Sequence, residues 1–271
     1  MLKKGFIVRF MLLAEFILTG NSFFIWSQTD TSIMITGTRV DILFPANYSQ
    51  KNILVLPGWN FPCDDICKKS DFCALAKSNG FVVVMPDMQK SVYASTIYPE
   101  TRSDWKKYHT RAWITDTLIP YLQHNFKLFL PNQRNYLFGI STGGRGVALL
   151  ACYDTAGIFR AGAALAGDFD QTLMPSDNLM KGYYGSYEQF PQRWEGTDNP
   201  LKNASRIQIP LYLSHGTHDS VVPYSQTEVF YQALTKISSL PHQLHPVAGG
   251  KHDYECWASQ YQNIVFFFNQ F

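Results

Sequence analysis

The residues Gly139-Ile140-Ser141-Thr142-Gly143 form a G-x-S-x-G run, and Gly144 follows it. Small residues on both sides of a serine let the chain reverse sharply and set the hydroxyl at the tip of the turn. The apolar run Tyr136-Leu137-Phe138 precedes it, and residues 143–152 have helical spacing, so the turn joins a strand to a helix. The first N–H groups of such a helix have no partners inside it and point at whatever sits in the turn. A phosphate-binding loop is the rival use of a Gly-rich turn. It needs Lys-Ser or Lys-Thr after its last glycine, and here Arg145 stands there. The spacing of a dinucleotide-binding loop does not occur at this turn either.

A serine hydroxyl is a poor nucleophile near neutral pH and needs a base that is itself held by an acid. The run His215-Gly216-Thr217-His218-Asp219-Ser220-Val221-Val222-Pro223 follows an apolar strand at 210–214 and offers Asp219 as the acid. Asp168 and Asp170, after another strand at 161–165, are the alternative acids. Gly249-Gly250-Lys251-His252-Asp253-Tyr254 follows the last strand, 243–247, and His252 there begins the last helix as the candidate base. His215 is expected beneath the acid loop. The pairs His215 with His218 and His242 with His245 raise the question of a metal, but the second pair lies on a predicted strand, where a spacing of three sends two side chains to opposite faces. No metal and no other cofactor is expected, because the three residues themselves supply nucleophile, base and charge stabilisation.

Groups so far apart in the chain need a rigid frame to meet. Residues 33–44 read as one or two strands closed by Pro45, and Ile53–Leu56 as a short strand ending in Pro57-Gly58. Residues 66–79 have helical spacing and stop at Asn79-Gly80. Phe81–Met85 is a buried strand, 110–125 a helix kinked or restarted at Pro120, 225–237 a helix, and 254–269 the last helix. Continuous apolar strands separated by helices predict a mostly parallel sheet covered on both faces. The segment 168–209 breaks the alternation, is rich in Tyr, Gly, Pro and Asn, and is expected to cap one end of the sheet.

The 271 residues are 46% hydrophobic and 16% charged, enough apolar material for one large domain and too little charge for a disordered chain or a coiled coil. The formal charge of +2 resides in residues 1–27, where Lys3, Lys4 and Arg9 face Glu15; the remainder is balanced. A balanced chain has no global field to draw nucleic acid, and none is expected as a partner. Residues 1–27, basic and then apolar with Ser27 at a plausible cleavage point, read as a signal peptide, leaving 28–271 as the domain. A retained anchor is the alternative, disfavoured by Glu15 and the Gly20-Asn21-Ser22 break, so no stable membrane insertion is expected after cleavage. The expected location is secreted or periplasmic. In such an oxidising setting Cys63, Cys67 and Cys73 could hold one local disulfide, or one of them could reach Cys256, while Cys152 reads as a buried thiol.

Through Gly139–Gly144, Tyr184-Gly185, Trp194 to Asp198-Asn199-Pro200, His215–Pro223 and Gly249–Trp257, the sequence resembles the α/β-hydrolase superfamily. Within it, the chain looks like the esterase group that holds esterase D (an S-formylglutathione hydrolase), family 1 carbohydrate esterases and mycolyltransferases. The resemblance covers roughly residues 50–271. It implies an α/β-hydrolase fold with Ser141 as nucleophile, His252 as base and Asp219 as acid. It further implies an oxyanion hole made by the backbone N–H of Thr142 and one from the turn after strand 53–56, where Trp59 is the donor. Here the chain departs from the common pattern, since Leu56-Pro57-Gly58-Trp59 replaces His-Gly-Gly. Among the aromatic residues Trp59, Tyr183, Tyr184, Tyr187, Phe190 and Trp194, the candidates for touching substrate are Trp59, Tyr184 and Trp194, while Trp257 is expected to pack the last helix. The implied activity is that of an exported serine esterase acting on a small-molecule or glycan-linked ester, such as acetyl or feruloyl groups on polysaccharide. Acyl transfer or peptide hydrolysis on the same triad is the enzymatic alternative. A glycan-binding module without activity is the other, and the intact set of three residues argues against it.

Overall fold

A computed structural model describes residues 29–271, and the leader read at 1–27 lies outside the described residues. The strands are β1 (Thr31–Ile35), β2 (Thr38–Leu43), β3 (Lys51–Leu56), β4 (Phe81–Pro86), β5 (Arg134–Ile140), β6 (Ala161–Leu165), β7 (Leu211–Gly216) and β8 (Gln243–Val247). They form one sheet in the order β1-β2-β4-β3-β5-β6-β7-β8. β2 pairs antiparallel with both β1 and β4, and every pair from β4 to β8 is parallel. From β3 the chain steps to one side with β4 and then to the other with β5 to β8, so β5 ends beside β3 and β6 with both neighbours pointing the same way. Ligands in open α/β sheets settle at the carboxyl ends of such strands.

The helices are α1 (Asp65–Lys69), α2 (Phe72–Ser78), α3 (Arg111–Trp113), α4 (Ile119–Phe126), α5 (Thr142–Cys152), α6 (Asn178–Tyr184), α7 (Pro191–Glu195), α8 (Ser225–Ile237), α9 (Tyr254–Ala258) and α10 (Tyr261–Phe268). Alternation along the strands decides which face each helix covers. Leu54, Leu56, Val82, Val84, Leu137, Leu211 and Leu213 point to one side, where α3, α4, α5 and α8 bring Trp113, Leu122, Val147, Leu150 and Phe230. Ile53, Val55, Val83, Met85, Tyr136, Phe138 and Tyr212 point to the other, against Ile66 and Phe72 of α1 and α2 and Tyr261, Ile264 and Phe268 of α10. Each large side chain buried in this way contributes at most about 1.5–3 kcal/mol.

Three predicted helices differ in detail. The stretch 66–79 is two helices, because Ser70 is extended and its hydroxyl donates to the Ile66 carbonyl at 2.5 Å, closing α1. Between α3 and α4 the turn Ile114–Leu118 is π-helical, and Pro120 sits in the first turn of α4, where its missing N–H does no harm. The last helix breaks between α9 and α10, and His252 precedes it. Asp253 is its cap, accepting from Cys256 N at 2.9 Å. The stretch from Met88 to Thr110 has no regular element and packs Val92, Ala94 and Trp105 against Met180, Tyr183, Tyr184 and Trp194 of the capping segment. No described helix is long and apolar enough to cross a membrane.

Candidate active site

Ser141 stands between β5 and α5 with φ 56° and ψ −126°. A non-glycine residue rarely adopts this conformation, and its strain is of the order of 1–3 kcal/mol. The packing around the turn imposes it. A methyl group added to Gly143 would lie 1.9 Å from the Leu56 carbonyl oxygen, so only glycine lets α5 start this close to β3. All eleven residues of α5 are buried, which mounts the serine on the interior of the molecule.

The hydroxyl of Ser141 lies 2.9 Å from Nε2 of His252, and Nδ1 of His252 lies 2.6 Å from Oδ2 of Asp219. The three residues picked out from separate strand ends therefore meet in one hydrogen-bonded line. The other oxygen of Asp219 accepts the N–H groups of Val221 at 2.8 Å and Val222 at 2.9 Å. His215, beneath the acid loop as expected, brings Nε2 to 3.2 Å from Oδ2. Burial opposes the charge on Asp219, but His215, His252 and the Val222 N–H outweigh it and hold the carboxyl well below the ordinary carboxylate range. His252 is steadied from the side by Trp257, whose ring meets it edge-on at 5.2 Å. Trp257 also packs the last helix as predicted, at 2% exposure.

The turn after β3 approaches the serine closely. A methyl group on Gly58 would lie 3.2 Å from Cβ of Ser141 and 3.1 Å from the Phe61 ring. The N–H of Thr142 opens α5, the N–H of Trp59 belongs to this turn, and neither has an acceptor among the described residues. Asn60, at φ 58°, donates its N–H to the Gln89 carbonyl at 2.8 Å and so pins the turn to the strand-end loop beside it. Trp59 is half-buried and meets Trp105 edge-on at 4.7 Å. Phe61, also half-buried, lies near Tyr254 and Trp257.

Two of the residues expected to touch substrate are placed elsewhere. Tyr184 and Trp194 are both 0% exposed, so neither presents a surface to a ligand. Trp194 donates its indole N–H to the Gly185 carbonyl at 3.1 Å, and Tyr184 accepts from Arg145 at 3.1 Å. Arg145 is the residue that sequence reasoning used only to exclude a phosphate loop. It is completely buried and holds Val92 O at 3.2 Å, Asp168 Oδ2 at 3.0 Å, Gln171 Oε1 at 2.9 Å and the Asp198 carbonyl. Asp168, one alternative acid, is thus spent on Arg145, and burial pushes its carboxyl up against that partner's pull. Asp170, the other, accepts from Thr172 N at 3.0 Å and Asn199 Nδ2 at 2.8 Å. A buried arginine has no sequence signature of its own; the one available hint was the pair of acids after β6. The disulfide joins Cys67 to Cys73, and Cys63, Cys152 and Cys256 are buried thiols.

A strained serine in hydrogen-bonded line with an imidazole and a carboxylate, between β5 and α5 of a mostly parallel sheet, defines a serine hydrolase of the α/β-hydrolase fold. Residues 70–270 match the prolyl oligopeptidase family, and the chain belongs to that family. No curated protein matches it. Among solved structures it is similar to the fluorophosphonate-binding serine hydrolase F of Staphylococcus aureus, at 18% identity and TM-score 0.68, covering 89% of this chain and 99% of that one. It is similar to an S-formylglutathione hydrolase from Agrobacterium tumefaciens, at 15% identity and TM-score 0.70, covering 89% and 94%. It is also similar to Porphyromonas gingivalis dipeptidyl peptidase 4, at 17% identity and TM-score 0.65, covering 89% of this chain but only 35% of that one. The α/β-hydrolase resemblance read from the sequence is borne out, and an esterase of the kind it named is among these structures.

Proposed function

We propose that this serine hydrolase cleaves carboxylic esters through an acyl-enzyme, with Ser141 as nucleophile, His252 as base and Asp219 as acid. The observation that carries the reading is the unbroken line from Ser141 Oγ through His252 to Asp219. Ser141 attacks the acyl carbon while His252 takes its proton. The N–H groups of Trp59 and Thr142 receive the oxygen that becomes negative, a contribution of about 10²–10³ in turnover per donor. His252 then returns the proton to the leaving alcohol, and water repeats the sequence on the acyl-enzyme. The half-buried rings of Trp59 and Phe61 belong to the turn that approaches the serine, and flat apolar faces there support an aromatic acyl group such as feruloyl or a sugar ring on the substrate. Export to an oxidising compartment belongs to the same proposal, and the Cys67–Cys73 disulfide supports it.

Peptide hydrolysis on the same three residues is the second reading, favoured by the family match. One panel separates them: acetyl and feruloyl esters, free and sugar-linked, beside the corresponding peptide anilides, with Ser141→Ala as control. Ester turnover abolished by Ser141→Ala is expected, with the anilides slower. Faster anilide cleavage would replace the ester reading by the peptidase one. Turnover surviving in Ser141→Ala would end both.

A further inference from the structure

We propose that His215 is a positioning residue that holds the triad acid in place as a neutral imidazole whose tautomer is set by Thr227. The proposal rests on the assignment of Asp219 made above. The side chain of His215 is 0% exposed, and that of Asp219 is also 0% exposed. Nε2 of His215 lies 2.9 Å from the Val222 carbonyl and 3.2 Å from Asp219 Oδ2. The Val222 carbonyl can only accept, and so can an ionised Asp219, so Nε2 carries the proton, donating it to the Val222 carbonyl with Oδ2 of Asp219 close beside it.

Nδ1 lies 2.6 Å from the hydroxyl of Thr227, a fully buried residue of α8. That hydroxyl has no other partner among the described residues. If His215 were protonated on both nitrogens, the Thr227 proton would have nowhere to go. With Thr227 donating to Nδ1, every buried group of the chain Thr227–His215–Asp219 is satisfied at once.

The arrangement does two things to the acid loop. One contact fixes Oδ2 itself, so that the carboxylate's remaining direction faces His252. The other fixes the Val222 carbonyl, whose own N–H already holds the opposite oxygen. The carboxylate is thus clamped from both sides to β7, which carries His215, and to α8, which carries Thr227. His252 alone bonds on the side that faces Ser141, so a proton arriving there finds its counter-charge already oriented.

The test uses readouts that need no natural substrate. The rate at which a fluorophosphonate labels Ser141 reports activation of the hydroxyl, and low-field proton NMR reports the His252–Asp219 hydrogen bond. His215→Leu is expected to slow labelling about tenfold or more and to shift or abolish the low-field signal. Thr227→Val, which frees His215 to take the other tautomer, is expected to slow it severalfold. His215→Gln, which keeps an N–H donor, is expected to recover part of the rate. On any ester that the enzyme turns over, kcat should fall with KM little changed. A rate and signal unchanged in a folded His215→Leu, or unchanged in Thr227→Val, would overturn the proposal. If His215→Leu does not fold, the other two decide: Thr227→Val must slow labelling, or the proposal falls. A wild-type protein that is neither labelled nor shows the signal would overturn the assignment of Ser141 and Asp219 first, and this proposal with it.

Discussion

Replacing Asp219 by asparagine removes an acceptor from a place where four donors converge. Val221 and Val222 bring N–H groups to one oxygen at 2.8 and 2.9 Å, and His252 and His215 approach the other at 2.6 and 3.2 Å. An asparagine has one oxygen and one NH₂. With its oxygen toward the backbone pair, the NH₂ meets His252 Nδ1, which can answer only by giving up its proton there. The proton then sits on Nε2, on the side that must accept from Ser141, and the base is lost. The reverse orientation sets the NH₂ against two backbone N–H groups that have no second form, so the first arrangement prevails. A wrong tautomer in an otherwise intact triad lowers kcat by roughly 10⁴, equivalent to about 5.5 kcal/mol of barrier. Asp219→Asn should therefore keep the wild-type circular dichroism and KM while initial-rate kinetics on an activated ester fall by that factor. A kcat within tenfold of wild type, with the fold intact, would refute the reasoning. The acid would then have to be sought elsewhere, and Asp168 and Asp170 are both occupied.

Arg145→Met should lower stability by about 3–5 kcal/mol, because it leaves Asp168 buried without its cation. The folded-state pKa of Asp168 then lies further above the unfolded value of about 3.9, so stability is lost as pH rises from that value through the folded one. Urea unfolding should accordingly show a larger deficit at pH 8 than at pH 5, and an equal deficit would contradict the account. Cys67→Ser with Cys73→Ser removes a link that spans six positions, worth about 2 kcal/mol on the loop-entropy estimate. Chemical denaturation under non-reducing conditions should read that loss with little change in kcat. Gly143→Ala sets a methyl group against the Leu56 carbonyl and should destabilise by about 3 kcal/mol or more, read as a lower melting temperature or as loss of soluble protein.

The sheet and the three triad positions were legible because each rests on a local rule. Buried strands are continuous apolar runs, as at Phe81–Met85, and a serine between glycines before a helix has few other uses. Asp219 and His252 were legible from chain order after strands. The contents of the cap were not. Tyr184 and Trp194 have the residue types of a binding surface and the burial of a core, and aromatic identity alone does not separate the two. Phe61 was passed over because its place beside Ser141 follows from a close approach of two loops rather than from any spacing. The helix at 66–79 failed to continue because one serine hydroxyl competed for a backbone carbonyl, an effect smaller than helical periodicity can register.

Arg145 also decides what kind of site this is. One guanidinium at the base of the serine's helix grips the strand-end loop at Val92, the acids and carbonyls after β6, and Tyr184 and Asp198 of the cap. Lifting the cap would tear a buried cation from Asp168, Gln171, Tyr184 and Asp198 at once. The segment over the sheet is therefore a fixed wall and not a gate.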